Sequence, residues 1–107
     1  MQLKIKTTDF VEAITQLKKM APKGRGRKAY LSGAMAISQA QAMVIFSVGE
    51  AKQICTGEGA WSGKVWFPFE IALGYAMVPP KTEHIILSYV DGKLKIANTT
   101  LKARIEY

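Results

Sequence analysis

Hydrophobic and polar positions along this chain predict one order of elements that occurs twice. In the first half, strand-like Lys4-Ile5-Lys6 leads into a helical pattern over residues 9–20. In the second half, Lys64-Val65-Trp66 leads into a helical pattern over residues 69–78. Alternation of apolar and polar residues then predicts three strands after each helix. These strands cover residues 31–38, 43–49 and 52–56 in the first half, and residues 84–90, 93–99 and 101–107 in the second.

The doubled β-α-β-β-β order predicts an α+β fold with two helices packed on antiparallel sheets. Asp91-Gly92 between two alternating runs predicts a tight hairpin, because both central residues of such a turn need positive φ. The glycines at positions 57, 59 and 63 mark the joint between the halves. A chain of this length is expected to form one domain, 1–107, with half repeats at about residues 2–57 and 63–107.

The first predicted helix is amphipathic. Its apolar residues recur at helical spacing and form one stripe that would lie on a sheet. That stripe consists of Phe10, Ala13, Ile14, Leu17 and Met20. Asp9 is expected to cap the N-terminus of this helix, with Glu12 three residues later in the manner of a capping box.

The second predicted helix is apolar on both sides. Phe69, Ala72, Leu73, Ala76 and Met77 cover one side, and Ile71, Tyr75 and Val78 cover the other. Because a sheet covers only one side of a helix, either another chain covers the second side or the segment is shorter and less regular than predicted. We favour the first alternative, which makes Ile71, Tyr75 and Val78 a candidate oligomer or partner interface.

Composition narrows the class of protein. A hydrophobic fraction of 49% is ample for a core, and the longest apolar run, residues 42–46, is too short to span a bilayer. The N-terminus alternates like a strand and lacks the apolar segment of a signal peptide. A single cysteine, Cys55, excludes an internal disulfide framework and fits a reducing compartment. These features predict a cytoplasmic protein without a membrane partner.

The net charge of +7 favours a polyanionic partner, in particular nucleic acid. Six cations and no acid fall within eleven residues: Lys18, Lys19, Lys23, Arg25, Arg27 and Lys28. Gly24 and Gly26 between them would let the backbone approach a phosphate chain closely. We therefore predict a nucleic-acid contact here. Two alternatives stay open: a solvated loop that only connects a helix to a strand, and a charge that serves solubility alone.

Other residues with chemical potential lack the neighbours that a catalytic or metal site needs. His84 is expected at the edge of a strand, and Cys55 is expected to act as a small hydrophobic residue. Trp61, Trp66, Phe67 and Phe69 cluster near the joint, where core packing is favoured over stacking on bases. No nucleophile, base and orienting acid come together, and no ligand set for a metal appears. The prediction is a protein that is not an enzyme and has no cofactor.

The doubled order of elements resembles one domain of the DNA sliding clamps, the processivity factors of replicative polymerases. The resemblance covers essentially the whole chain. It rests on element order, length, the paired helix ends Pro22-Lys23 and Pro80-Lys81, and the hairpin Asp91-Gly92-Lys93-Leu94-Lys95-Ile96. It implies two helices side by side on one face of the sheets. In a ring of six such domains, these helices line the hole and their basic residues meet the DNA backbone.

Two differences from the clamp pattern shape the functional expectation. Clamp chains carry two or three domains, so a ring built from this chain would need six copies. The second helix presents Ile71, Tyr75 and Val78 where the pattern implies Lys or Arg. The leading prediction is a clamp-like DNA-binding or DNA-associated homo-oligomer that contacts the backbone of double-stranded DNA, with a replication or repair protein as a possible partner. The alternative is a protein-interaction module that uses the apolar second helix and does not bind nucleic acid directly.

Overall fold

The computed structural model describes residues 1–107, which form three α-helices and ten β-strands. The helices are α1 (Thr7–Lys19), α2 (Arg27–Ser32) and α3 (Phe69–Met77). The strands are β1 (Gln2–Lys6), β2 (Ala34–Ala40), β3 (Met43–Val48), β4 (Ala51–Thr56), β5 (Glu58–Ala60), β6 (Lys64–Pro68), β7 (His84–Val90), β8 (Lys93–Ile96), β9 (Thr99–Lys102) and β10 (Arg104–Glu106). None of the helices is both long and apolar enough to cross a bilayer.

The strands form two five-stranded antiparallel sheets that exchange elements between the halves of the chain. Sheet I has the order β5-β1-β7-β8-β9, and sheet II has the order β10-β6-β2-β3-β4. The first strand of each half therefore pairs with the second strand of the other half, β1 with β7 and β6 with β2. Because each sheet contains strands from both halves, neither half completes a sheet alone.

Each half ends by passing from one sheet to the other. Strand β4 belongs to sheet II and β5 to sheet I, with Gly57 between them, while β9 and β10 make the reverse passage at Ala103. A Cβ atom at Gly57 would lie 2.8 Å from Cγ2 of Val44 and 3.2 Å from Cγ1 of Ile5. The first passage thus runs directly over the core and needs glycine for the close approach.

The core lies between the two sheets and the helices, and it joins both halves. Twenty buried residues form one cluster, which includes Phe10 and Leu17 of α1, Phe46 of β3 and Leu94 of β8. The rings of Phe10 and Phe46 pack edge to face, with centroids 5.6 Å apart. This arrangement anchors α1 to sheet II through its apolar stripe, as an amphipathic helix requires.

The α+β fold with a doubled β-α-β-β-β unit is confirmed, but the start of the first helix is a correction. Helix α1 begins at Thr7, and Asp9 lies in its first turn without capping it. The backbone N–H of Thr7 donates to the Glu83 carbonyl at 2.9 Å, and its hydroxyl donates to the Thr82 carbonyl at 2.7 Å. Because these contacts come from the loop before β7, the helix start depends on the other half of the chain.

Three strand predictions also need correction. Leu31 and Ser32 end a short helix, α2, and the strand predicted over residues 31–38 begins at Ala34. The run predicted over residues 93–99 ends at Ile96, because Ala97 has a φ of 52° and starts a turn. The last run, residues 101–107, divides at Ala103 between the two sheets. Each difference arises where tertiary packing, rather than alternation, decides the direction of the chain.

Candidate nucleic-acid interface

The six predicted cations extend along one stretch from the last turn of α1 to the first turn of α2. We call this stretch the basic tract: Lys18, Lys19, Lys23, Arg25, Arg27 and Lys28. All six residues are exposed, and no carboxylate occurs within the stretch. The tract therefore presents its positive charge to solvent.

The first two cations of the tract belong to the end of α1. The helix closes with Met20 N–H donating to the Gln16 carbonyl at 3.1 Å and Ala21 N–H donating to the Lys18 carbonyl at 3.1 Å. Ala21 is buried, which holds the end of the helix against the fold. Lys18 and Lys19 complement the negative end of the helix dipole, so these two lysines also have a stabilising role.

The loop of the basic tract is shaped by two glycines. Gly24 has a φ of 74° and Gly26 a φ of 89°, both in the left-handed region, and Arg25 lies between them. A Cβ atom at Gly24 would meet nothing within 4 Å. The backbone beside Arg25 is therefore open to an approaching chain, in the way that a backbone contact to phosphate requires.

Helix α2, which the sequence analysis missed, fixes the far end of the tract. The Tyr30 hydroxyl donates to the Leu17 carbonyl at 2.5 Å, and the Tyr30 ring packs edge to face on Phe69 with centroids 5.9 Å apart. Burial raises the pKa of this hydroxyl. Tyr30 thus joins α2 to the end of α1 and the start of α3, and it positions Arg27 and Lys28 on a supported element. In the sequence, the helical spacing of Arg27, Tyr30 and Leu31 is the signal that could have predicted α2.

A carboxylate from the second half lies near the end of the tract. Arg27 and Lys28 border an open cleft of about 580 Å³ between α2 and α3, and Glu70 borders the same cleft. Leu31 and Leu73 form part of its wall. Glu70 lowers the net positive charge at this end. The positive charge of the tract is therefore least neutralised around Arg25.

The three residues of the second predicted site, Ile71, Tyr75 and Val78, differ in their exposure. Ile71 and Tyr75 are half-buried and pack against the core cluster of their own chain. Val78 lies just beyond the end of α3 and is 78% exposed, and its neighbour Met77 is 73% exposed. The apolar surface of α3 available to another chain is therefore at the end of the helix, and it includes Met77, which the helical projection assigns to the opposite side.

The Tyr75 hydroxyl has partners within its own chain. It lies 2.8 Å from Oδ1 of Asn98, 3.1 Å from the Ile96 carbonyl oxygen, and within hydrogen-bonding distance of the Thr99 hydroxyl. These groups form the turn between β8 and β9. Tyr75 therefore ties α3 to sheet I.

The remaining residues considered from the sequence lie apart from the basic tract. His84 is half-buried at the first position of β7. Cys55 is half-buried on β4, where burial and then the charge of Asp9 raise the pKa of its thiol to about 11. A raised pKa disfavours the reactive thiolate. No group of three or more His, Cys, Asp or Glu side chains is placed to hold a metal ion.

The aromatic cluster at the joint is mostly core. Trp61, Phe67 and Phe69 are buried, and the Trp61 indole N–H donates to the Ile37 carbonyl at 3.1 Å. Core packing is therefore confirmed for these three residues. Trp66 differs, because it faces away from the core and the Arg104 guanidinium lies 5.5 Å from its ring centroid.

Comparison with known proteins supports the fold and not a family. No protein-family model matches the sequence, and no curated protein matches it. Among solved structures, the chain is similar to pol III beta of Caulobacter crescentus, a sliding clamp, with a TM-score of 0.70 and 14% sequence identity. The match covers 100% of this chain and 30% of that one. The fold of a sliding-clamp domain is therefore confirmed, in a chain that spans less than a third of the protein it matches.

Proposed function

Because the chain has the fold of one sliding-clamp domain, we propose that it is a non-enzymatic, DNA-associated protein that works as a homo-oligomer. In this proposal the basic tract contacts the phosphate backbone of double-stranded DNA. The contact is weak per protomer, sensitive to salt and indifferent to base sequence. A replication or repair protein is its expected kind of partner.

The observation that carries the proposal is the exposed basic tract around Arg25. Arginine forms paired hydrogen bonds to phosphate oxygens, and left-handed glycines on both sides of Arg25 leave its backbone accessible. The tract contains no aromatic side chain and no regular element long enough to read base edges. Backbone contact, which carries no sequence information, is the recognition mode that these side chains support.

The test is a salt titration of binding to a labelled duplex, with the double variant Arg25→Gln/Arg27→Gln. Each phosphate contact contributes a slope of about −0.9 to a plot of log affinity against log salt. If each arginine makes one contact, the variant should bind every sequence more weakly, with a slope shallower by about 1.8. These positions are preferred over Lys18 and Lys19, because the lysines also stabilise the end of α1.

A matched control removes the same charge elsewhere. Lys52 on β4 and Lys64 on β6 are exposed residues outside the tract. Lys52→Gln/Lys64→Gln lowers the net charge by the same two units and should retain the slope of the unmodified protein. Equal losses in both variants would mean that only the overall charge matters. Absence of duplex binding by the unmodified protein at low salt would overturn the nucleic-acid proposal.

The open sheet edges support the oligomeric part of the proposal. Sheet II ends at β4, six residues long, and sheet I ends at β9, four residues long, whereas the other edges, β5 and β10, have three residues each. Open edges present unpaired backbone groups to another chain. Pairing of β4 with β9 of the next copy would be a head-to-tail contact, which closes into a ring when its rotation allows.

A second candidate function rests on the exposed end of α3. Met77 and Val78 present apolar side chains beside a groove of about 560 Å³ that Pro79, Pro80 and Lys81 help to line. A module that binds a partner protein here would need no nucleic acid. The duplex titration separates the two functions, because only the first predicts salt-dependent binding that the tract variant weakens.

A further inference from the structure

A second basic surface lies on sheet I, outside the tract. Along β1 the residues alternate between exposed and fully buried, and along β8 they do the same. The exposed positions of β1, β8 and β9 include five lysines on one side of the sheet. We call this side the lysine face: Lys4, Lys6, Lys93, Lys95 and Lys102.

The strand register brings lysines directly together on this face. Lys93 of β8 pairs with Lys102 of β9, and Lys95 lies two residues further along the same side of β8. Same-side neighbours on one strand are about 6.8 Å apart, and paired residues on adjacent strands are about 5 Å apart. Three ammonium groups can therefore reach one stretch of a polyanion.

Acidic residues offset this charge mainly at the β1 end of the face, where Asp9 borders the same cleft as Lys4 and Lys6. Glu58 of β5 pairs with Lys4, and Asp91 lies in the turn before Lys93. The central strand, β7, contributes no charged side chain to the interior of the face, since Ile86 and Ser88 occupy those positions. The face is therefore most positive at β8 and β9.

Protection of a sheet edge does not explain the lysine face. Lysines on edge strands discourage pairing with other chains, and Lys102 on β9 fits that role. However, β5 covers Lys4 on β1 and β9 covers Lys93 and Lys95 on β8, so these three lysines protect no edge. Like charges directly opposite each other also destabilise a sheet. The pair of Lys93 and Lys102 is thus unfavourable unless an anion is present.

The lysine face and the helices lie on opposite sides of sheet I. The strand neighbours of the lysines, Leu3, Ile5, Leu94 and Ile96, are fully buried in the same core cluster as Phe10, Ile14 and Leu17 of α1. Side chains that alternate with these residues point the other way. A polyanion on the lysine face therefore cannot be the same straight segment that contacts α1.

We propose that the lysine face binds the phosphate backbone of a second nucleic-acid segment, so that one protein bridges two segments. Nucleic acid is preferred over an acidic protein because the face offers spaced ammonium groups without an arginine. Acidic peptide motifs are typically held by arginine clusters. Binding at the lysine face stands by itself, whereas bridging also rests on the proposed function of the basic tract.

The experiment uses the double variant Lys93→Gln/Lys95→Gln, which leaves the edge strand β9 unchanged. The charge-matched control is Lys64→Gln/Arg104→Gln, two exposed cations outside both basic surfaces. Bridging is measured as capture of a labelled duplex from solution by an identical duplex that is fixed to beads. Affinity for one duplex is measured by fluorescence anisotropy over a salt series.

The lysine-face variant should capture at least about tenfold less second duplex, while it retains binding to a single duplex through the basic tract. The control variant should capture as the unmodified protein does. The lysine-face variant should also keep its fold, with an equal or higher urea midpoint, because its substitutions remove the pair of like charges.

Three results would overturn the proposal. The first is unchanged capture by the lysine-face variant. The second is an equal loss in the control variant. The third is binding of polyglutamate, without any duplex, that the lysine-face substitutions abolish, since this would identify an acidic protein as the ligand. Loss of single-duplex binding in the Arg25→Gln/Arg27→Gln variant, with full capture by the lysine-face variant, would support the proposed function and reject this inference.

Discussion

Helices α1 and α3 occupy the same place in the repeated unit, yet they end in opposite chemistry. Both run into a Pro-Lys pair, Pro22-Lys23 after α1 and Pro80-Lys81 after α3. Before this pair, α1 ends in Lys18 and Lys19, whereas α3 ends in Met77 and the chain continues with Val78. The first end is cationic and the second is apolar, and both are exposed.

The difference separates what the fold requires from what it leaves open. Helix α1 buries five residues, including Phe10 and Leu17, whereas α3 buries only Phe69 and Ala72. Helix α3 is also held by contacts with α2 and with the β8–β9 turn. The fold constrains the sides of the helices that face the core. It places no comparable demand on their ends, so those ends are free to differ between the two halves, and one is cationic where the other is apolar.

The largest expected effect concerns β5, the strand that the chain enters after the first passage between sheets, where glycine is needed at position 59; the second passage accommodates Ala103. Gly59 has a φ of 124°, and a Cβ atom there would meet the Gln2 carbonyl oxygen at an impossibly short distance. Gly59→Ala should lower the free energy of unfolding by more than about 3 kcal/mol, or prevent folding. Urea denaturation followed by circular dichroism measures the loss.

Gly49→Ala is the control for backbone strain alone. Gly49 has a φ of 57°, but a Cβ atom there would meet nothing within 4 Å. Its cost should be about 1 kcal/mol. If the two variants lost equal stability, the contact with Gln2 would not be the reason that β5 needs glycine at position 59.

The next effect tests whether the apolar end of α3 joins copies of the chain. Met77→Lys/Val78→Lys gives this end the charge that α1 has. Burial of one such side chain contributes about 1.5–3 kcal/mol, so the double variant should weaken self-association at least about tenfold. Sedimentation velocity over a concentration series measures the change, and the free energy of unfolding should stay within about 0.5 kcal/mol.

Methionine and valine are also exposed elsewhere on the protein, which provides a control. Met43 is 40% exposed on β3 and Val90 is 61% exposed on β7. Met43→Lys/Val90→Lys makes identical replacements and should leave self-association unchanged. Should the unmodified protein already sediment as a monomer at tens of micromolar, the apolar end of α3 would not be an oligomer interface.

The smallest effect compares Tyr30, which holds α2 against the end of α1, with Tyr75, which holds α3 against the turn between β8 and β9. Tyr75→Phe removes a hydroxyl that contacts the turn between β8 and β9, whereas Tyr30→Phe removes a single bond to the Leu17 carbonyl. That carbonyl also accepts from Met20 N–H, so it keeps a partner. Tyr75→Phe should cost about 1–2 kcal/mol and Tyr30→Phe about 0.5–1 kcal/mol in urea denaturation. The reverse order would mean that α2, and not the turn, supports α3.

Much of the fold could be predicted from local pattern. Alternation located seven of the ten strands to within a few residues at most ends, and the Asp91-Gly92 turn lies where its chemistry requires, with φ of 51° and 77°. The apolar stripe of α1 matches its buried side apart from Met20, which is half exposed. The exposure of the basic tract could also be predicted, because its eleven residues contain six cations and no acid to pair with them.

Local pattern could not show α2, the passages at Gly57 and Ala103, or the start of α1. Helix α2 has six residues, too short to be stable by propensity, and it forms because Tyr30 reaches Leu17 and Phe69. Likewise, the lysine face depends on the pairing of β1 with β7 and of β7 with β8, which brings residues 4–6 and 93–102 to one sheet.

The sequence by itself determined which side of α1 faces the core, the order of the repeated elements and the charge of the basic tract, because these follow from burial and from neighbours along the chain. Only the tertiary structure decided which surfaces those elements present. It buried Ile71 and Tyr75 partly within their own chain, left Met77 and Val78 exposed, and set Lys93 opposite Lys102. The physical reason is that each sheet combines strands from both halves, so its faces are composed by pairings between residues far apart in the sequence.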